Sequence, residues 1–365
     1  MRRIDNRRLE AACDRLGEVV IDPAKWPEVM ELICSAVGAT GAALLQSELR
    51  SPDVPRTASV DELFSNYFRC KWHLRDRRAE RAVPLLLRGA HVVVDQDIVK
   101  SEEIDRDEFY GEALLPFGFR WFAVVGVRAG SAHWGLSFQR TTREGPFSLG
   151  DKAILATIAP RLSETAALSA AVGRMALTSA TNALNDLRQP ALAIDGCGNV
   201  LEANPVAEMI FDEELHIKRK RLVIRDDRAK GKIEEVLGQL GVASDRTTLQ
   251  TDPIVIRRTK KEPVIARMLP VPCSARSPFV GARALVVLTT IGGRARPAPA
   301  PLMSLFGLTP AEARLASTLA GGLDPARAAQ EIGVSRVTAR NQLRTIFAKT
   351  GTHRQSELVA LLSRI

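Results

Sequence analysis

The sequence predicts an α+β multidomain protein. An α-β-α layered domain is expected over residues 1–170, an antiparallel-sheet domain over 188–291, and an all-α tetrahelical domain over 302–365. Three observations predict this. A hairpin pattern at 119–140 sits between amphipathic helical stretches and a long helical one. Short strand patterns broken by turn residues fill 191–290. The last sixty or so residues repeat a cycle of cap, apolar face and glycine, with no strand alternation.

The elements follow in order. Leu9 to Val20 reads as an amphipathic helix, and Trp26 to Val37 as another, started by Asp22-Pro23. Thr40 to Leu45 is a strand. Val60 to Asn66 begins a helix that leads into Tyr67 through Asp76, and Val92 to Asp95 is a strand end. Phe119 to Val127 and Ala132 to Arg140 form a hairpin around Ala129-Gly130-Ser131. In its second strand Trp134, Leu136 and Phe138 alternate with His133, Gly135, Ser137 and Gln139, a polar set that can face water. Phe147 to Asp151 then caps a helix running to about Met175, with Pro160 near a turn boundary.

Helices before a sheet, a late hairpin and a long closing helix suggest a sensor of GAF-like type. The spacing of Tyr67, Trp72 and Asp76 resembles the autoinducer-binding domain of quorum-sensing LuxR proteins. The resemblance implies that Tyr67, Trp72 and Asp76 line a small-molecule pocket, the Trp bonding a lactone carbonyl and the Asp accepting from an amide N–H. Trp121 and Ser137 join them as candidates. Arg77 stands where that family carries Pro. Against the pocket stand plainer readings. Trp72 and Trp121 can be core aromatics, and Asp76, inside Arg75-Asp76-Arg77-Arg78, can pair with neighbouring Arg on a solvated helix.

Ser163 to Leu187 is Ala/Leu-rich and helical, and residues 171–187 are expected as a coupling helix and dimer seam. Ala191 to Asp195 is a strand, Gly196-Cys197-Gly198-Asn199 a turn, and Val200 to Ala203 a second strand. Asn204 caps a helix opened by Pro205 and carrying Ala207 and Ile210-Phe211. This order resembles the start of a PAS domain, with Ile254 to Arg257, Pro263 to Leu269 and Ala284 to Thr290 as later strands. PAS domains hold haem, flavin or a metabolite, or only dimerise. His216 is the only histidine here and lies in the basic run His216 to Arg221, a solvated turn rather than a haem site. Dimerisation or signal relay is the expected role, and no cofactor is expected. Gly292 to Pro301 reads as a Pro-rich linker, extended and semi-rigid in its second half.

At the C-terminus Thr309, Pro310 and Glu312 have capping-box spacing with Pro at the first helical position. Leu315, Ala316 and Leu319 give the apolar face, and Gly321-Gly322 stops the helix. Asp324 and Pro325 start the next, with Ala328, Ala329 and Ile332 inside. Gly333 is the turn residue. Ser335 caps a further helix whose expected buried stripe is Val337, Leu343, Ile346 and Phe347. Its other face carries Arg336, Arg340, Asn341, Arg344 and Thr345. Arg can grip guanine in a bidentate pair and Asn can do the same for adenine. Ser335, Arg336, Thr338, Thr345, Lys349, Thr352, His353 and Arg354 can reach phosphates. Gln355 to Leu362 forms the last helix.

Over 305–362 the chain resembles the C-terminal helix–turn–helix domain of LuxR-type transcriptional regulators. Matching stretches include Leu308 to Glu312, Gly322-Leu323, Ile332 to Ser335, Ile346 to Gly351 and Glu357 to Val359. The resemblance implies base readout at Arg340, Asn341 and Arg344. It also implies dimers on near-palindromic duplex DNA, with the last helix as the dimer contact. Ala339 stands where members usually carry Val, and Gln342 where they often carry His.

Composition agrees with this division. The 365 residues suit two or three domains, and the 45% hydrophobic content supports packed cores. The net charge of +9 favours polyanion partners. Cys13, Cys34, Cys70, Cys197 and Cys273 are scattered with no C-x-x-C pair, so no disulfide framework or zinc site is implied. Cys70, between Arg69 and Lys71, is either a redox thiol or a plain cysteine. No apolar run reaches the ~20 residues of a membrane span, and Arg2-Arg3 opens no signal peptide. A cytoplasmic location and no membrane partner are therefore expected.

The chain has no phosphate loop, metal cluster or Ser/His/Asp grouping, so no enzyme is expected. The expected function is a dimeric, ligand- or partner-controlled DNA-binding transcription regulator, with RNA polymerase as a further candidate partner. The rival is an adaptor whose terminal helices bind polymerase or another regulator without reading DNA.

Overall fold

The structure, a computed structural model, describes residues 4–47, 54–242, 252–272, 274–290 and 296–363. Arg2-Arg3, Cys273 and the first part of the expected linker, 292–295, lie outside the described residues. Contacts divide the chain into two compact units, Met1–Arg258 with Val264–Thr289, and Thr259–Pro263 with Thr290–Ile365. Helices and antiparallel sheets together make the protein α+β.

The first unit opens with α1 (Asn6–Asp14), α2 (Trp26–Val37) and β1 (Gly41–Gln46), followed by α3 (Asp61–Arg69) and α4 (Arg77–Leu87). Then come β2 (Val92–Val94), β3 (Phe119–Ala129), β4 (Ala132–Thr141) and the 38-residue α5 (Leu149–Asp186). The four strands form one antiparallel sheet in the order β1-β4-β3-β2. Side chains of a strand alternate between faces, and here both faces are covered. Leu136 and Phe138 of β4 enter a core with Trp26, Ile33, Leu155 and Leu162 from α2 and α5. On the other face Val93, Phe122 and Val124 meet Ala82 of α4, beside a cluster that includes Leu63, Phe64 and Tyr67 of α3. This is an α-β-α sandwich. Ser137, a pocket candidate, and Gln139 lie on the strand face that could also have faced water; both are buried under the second helical layer.

Arg140 locks the first layer. It is fully buried and donates to the Val37 and Gly38 carbonyls at 2.6 and 3.0 Å and to Asp151 at 3.1 Å. Val37 and Gly38 end α2, and Asp151 belongs to the capping box that starts α5 with Ser148. One guanidinium therefore satisfies carbonyls that a helix end leaves open.

α5 continues without interruption to Asp186, through Pro160 and past the expected end near Met175. The expected coupling segment 171–187 is thus the second half of the sandwich's own helix. It runs beside a second antiparallel sheet. This is built from β5 (Ala191–Asp195), β6 (Val200–Ala203), β9 (Ile254–Ile256), β10 (Val264–Pro270) and β11 (Ala282–Thr290), ordered β6-β5-β11-β10-β9. The helix after Asn204 is shorter than expected, Pro205–Glu208, and leaves Ile210-Phe211 outside it. Two further elements were not expected. The basic stretch read as a solvated turn is a hairpin, β7 (Leu215–Lys218) and β8 (Arg221–Ile224), and α6 (Asp227–Val242) follows.

The loop before β11 fastens to α5. A Cβ on Gly173 would lie 2.9 Å from the Ser274 carbonyl, so only glycine permits this approach. Ser169 and Ser277 share a buried hydrogen bond of 2.8 Å. Phe279 stands edge-on to Trp26 and Trp134, at centroid distances of 5.9 and 5.1 Å.

The second unit contains α7 (Pro299–Phe306), α8 (Pro310–Ala320), α9 (Pro325–Ile332), α10 (Arg336–Thr350) and α11 (Gln355–Leu362). α7 corrects the expected extended linker. Pro299 is an N1 proline, where its missing N–H costs nothing, so the helix begins inside the Pro-rich stretch. Arg296, just before it, pairs with Glu331 of α9. The core gathers Leu302, Leu315, Leu319, Ala329, Ile346 and Leu358 from all five helices.

Candidate ligand cavity and nucleic-acid interface

Two candidate sites emerge, one in each unit. In the first, α3 and α4 stand off the sheet and leave a cavity of about 80 Å³. Phe64, Val83, Leu86, Leu114 and Val124 give it apolar walls. Tyr67, Asp76, Arg78, Ser137 and Gln139 supply its polar groups. Gly135 keeps the floor open, since a Cβ there would lie 2.6 Å from Val124 Cγ2.

Each polar group has a structural cause. Asp76 caps α4 by accepting from the Ala79 N–H at 3.0 Å, and its other oxygen accepts from the Tyr67 hydroxyl at 2.6 Å. It is therefore no member of a solvated charge run. Arg78 turns inward on the same helix face as Ala82, one turn later. Its guanidinium donates to Gln139 Oε1 at 2.9 Å and to the Arg120 carbonyl at 2.6 Å. Its Nε lies 3.2 Å from Asp95. The Tyr110 and Phe122 rings flank it at 4.7 and 4.5 Å.

Asp95 is fully buried and accepts from the Tyr110 hydroxyl at 2.6 Å and from the Phe122 N–H at 2.5 Å. Burial pushes its carboxyl pKa up, against the opposing pull of the Arg78 charge. Burial likewise raises the Tyr110 hydroxyl, which keeps its proton and donates it to Asp95.

The polar chain ends at the cavity. Because Arg78 donates to the Gln139 oxygen, the Gln139 amide nitrogen must point to Ser137, which it reaches at 2.9 Å. Ser137 Oγ then accepts, and its own proton is available to donate.

Of the five residues expected at a pocket, Tyr67, Asp76 and Ser137 line the cavity. Trp72 and Trp121 do not. Trp72 follows Lys71, whose φ of 57° turns the chain. The indole goes into the aromatic cluster, edge-on to Phe109 at 6.1 Å, with Arg75 3.8 Å over its other face. Trp121 is half-buried under Arg120, whose guanidinium lies 5.1 Å from the ring. Arg78, Gln139, Asp95 and Tyr110 were missed as site residues. Gln139 shares the strand face of Ser137, a signal present in the alternation. Arg78 hid in an Arg-rich run.

In the second unit local chemistry builds the interface. Thr309 and Glu312 exchange both capping-box bonds, at 2.8 and 3.3 Å. Asp324 accepts from Ala326 and Arg327 at the start of α9. Gly333 makes the turn at φ 74°, and Ser335 caps α10 through the Thr338 N–H at 3.0 Å. α9 and α10 thus form a helix–turn–helix. Arg336, Thr338, Arg340, Asn341, Arg344 and Thr345 lie exposed on α10, while Ala339 and Ile346 face the core. Arg336, Arg340, Arg344 and Arg354 make no ion pair among the described residues.

Two expectations change here. Val337, expected in the buried stripe, is 71% exposed and stands beside Arg336 on the outer face, and Ala339 takes the inner position. Lys349, expected on phosphate, reaches Glu312 at 2.7 Å and ties α10 to the capping box of α8. The last helix packs Leu358, Val359 and Leu362 into its own unit. Of the remaining backbone candidates, Ser335 shares its hydroxyl with Thr338, and Thr345 donates to the Asn341 carbonyl at 3.3 Å. Among the described residues no group of His, Cys, Asp and Glu is arranged to hold a metal. Among the described residues no helix is long and apolar enough to cross a membrane.

No family model matches the chain, and no curated protein matches it. Solved structures with local likeness include the VqsR LBD domain from Pseudomonas aeruginosa. It is 18% identical, with a TM-score of 0.33, over 44% of this chain and 94% of that one. The E. coli DhaR(N)–DhaL complex gives 10% identity and a TM-score of 0.24, over 78% of this chain and 88% of that one. A phage VqmA–DPO complex gives 16% and 0.18, over 52% and 88%. At these identities and scores the likeness carries no argument about what this chain does.

Proposed function

We propose that the protein is a sequence-specific, double-stranded-DNA-binding transcription regulator of LuxR type. It acts as a dimer and is controlled by a small molecule held in the first unit. One observation carries the reading: the capped α9–α10 pair presents Arg336, Arg340, Asn341 and Arg344 outward, with no ion pair to these arginines among the described residues. A helix of this width enters the major groove. There Arg340 and Arg344 suit guanine edges and Asn341 suits adenine. Val337 suits a thymine methyl, a role the sequence alone did not suggest. Arg336, Thr338 and Arg354 suit phosphates.

The cavity supports the sensor half of the reading. Its ligand is a small, mainly apolar molecule whose polar end accepts from Ser137 and donates to Asp76. A lactone held by Trp72 is not part of this proposal, because Trp72 is committed to the aromatic cluster. Within the first unit, the α-β-α sandwich and the five-stranded sheet suit GAF-like and PAS-like sensor modules respectively.

The test is recovery and sequencing of genomic fragments bound by the purified chain. Enrichment of a near-palindrome upstream of a few operons is the expected result. Uniform recovery with no enriched sequence, with and without cell extract as a ligand source, would favour the adaptor reading.

A further inference from the structure

The hairpin of β7 and β8 is a built cationic projection. Its tip carries Lys218, Arg219, Lys220 and Arg221, four consecutive exposed cations. None has an acid partner among the described residues. The acids near it are engaged elsewhere: Asp212 with Arg258 at 2.9 Å, Glu214 with Arg225 at 3.7 Å, and Asp226 with the N–H groups of Arg228, Ala229 and Arg257. The tip is also held in place, because Lys220 O accepts from the Val200 N–H and Arg221 bridges to Asn199.

The turn itself is costly. Arg219 and Lys220 have φ of 50° and 63°, both left-handed, in a two-residue turn that Asn-Gly would fill without strain. A strained turn that keeps two long cations where the relaxed sequence has none points to a role for the charge.

We propose that this hairpin is a second polyanion-contacting surface that lies on the phosphate backbone of duplex DNA. This rests on the reading that the chain binds DNA. A two-stranded ribbon suits a DNA groove. The tip offers four point and fork cations of the kind that grip phosphate oxygens, contacts that add affinity and position without reading sequence. Each phosphate contact adds about 0.9 to the slope of log affinity against log salt.

The experiment compares the full chain with R219N/K220G, which gives the turn its preferred residues and deletes two charges. Duplex affinity is measured between 50 and 200 mM salt, with melting temperature alongside. The variant should melt higher than the wild type and bind more weakly, with a slope lower by about 1.8 for two lost contacts. Across that fourfold salt range the wild type should then lose about twelvefold more affinity than the variant. K218Q/R221Q, which leaves the turn residues in place, should show the same slope change and so guards against a folding artefact. Wild-type affinity and slope in both variants would overturn the hairpin proposal and leave the α10 reading intact. A wild-type chain that binds no duplex at 50 mM salt would overturn both. Variants that bind DNA normally but lose phosphatidylserine vesicles would assign the hairpin to a membrane surface instead.

Discussion

Replacing Arg78 by Met tests the polar wall of the cavity. The substitution keeps most of the volume and removes the charge, leaving Asp95 fully buried with no cation beside it. Breaking a buried pair by removing one partner costs about 3–5 kcal/mol. Here the Tyr110 hydroxyl and the Phe122 N–H still donate to Asp95, so the lower end, about 3 kcal/mol, is expected at pH 7. That is a large part of the 5–15 kcal/mol by which domains are ordinarily stable.

The sign of the pH dependence follows from burial. Asp95 already has a folded pKa above its unfolded value, so the folded state takes up a proton first and acid favours it. Without Arg78 the folded pKa rises further, and each added unit costs about 1.4 kcal/mol at pH values above it. Lowering the pH from 7 toward the unfolded value near 4 should therefore shrink the deficit of the variant. Urea unfolding at pH 7 and pH 5 measures it. A second variant, R78M/D95N, should recover much of the loss at pH 7. A deficit that is equal at both pH values and unchanged by D95N would refute the argument, because it would then come from packing alone.

Three further outcomes are expected. S137A should weaken a cavity ligand by about 1 kcal/mol, roughly fivefold, since it removes one net hydrogen bond; calorimetry with the ligand from a fragment screen measures it. F279A should lose two edge-on contacts as well as the packing of the ring itself, and urea unfolding should show a loss of about 3–5 kcal/mol. R340A and R344A should each cost about 1–3 kcal/mol on an enriched duplex if the side chain reads a base, as gel-shift titration would show.

What the sequence made legible was local. Thr309, Asp324, Gly333 and Ser335 act within four residues of themselves, and the structure forms the caps and turn they signal. The alternation of β4 gave both its faces, but a single strand carries no sign of a second helical layer, so its polar face was compatible with water as well as with a pocket, and Gln139 was not singled out. Arg78 was opaque for a related reason. Nothing in Arg75-Asp76-Arg77-Arg78 tells which guanidinium turns inward; Asp95, seventeen residues on, and Gln139 on β4 decide it. The β7–β8 hairpin was hidden because its strands are four residues each and its turn carries Arg-Lys. Val337 shows the limit of helical periodicity, since an apolar side chain at near-core spacing can belong to the surface that meets a partner.

The most direct test of the central claim is the ratio of affinities for an enriched duplex and its scrambled counterpart, at one fixed salt concentration. It is measured for the wild type and for R340A/N341A/R344A. If α10 reads bases, the triple variant should lose most of the ratio while its affinity for the scrambled duplex changes far less. An equal fall on both duplexes, with the ratio preserved, would contradict base readout by this face.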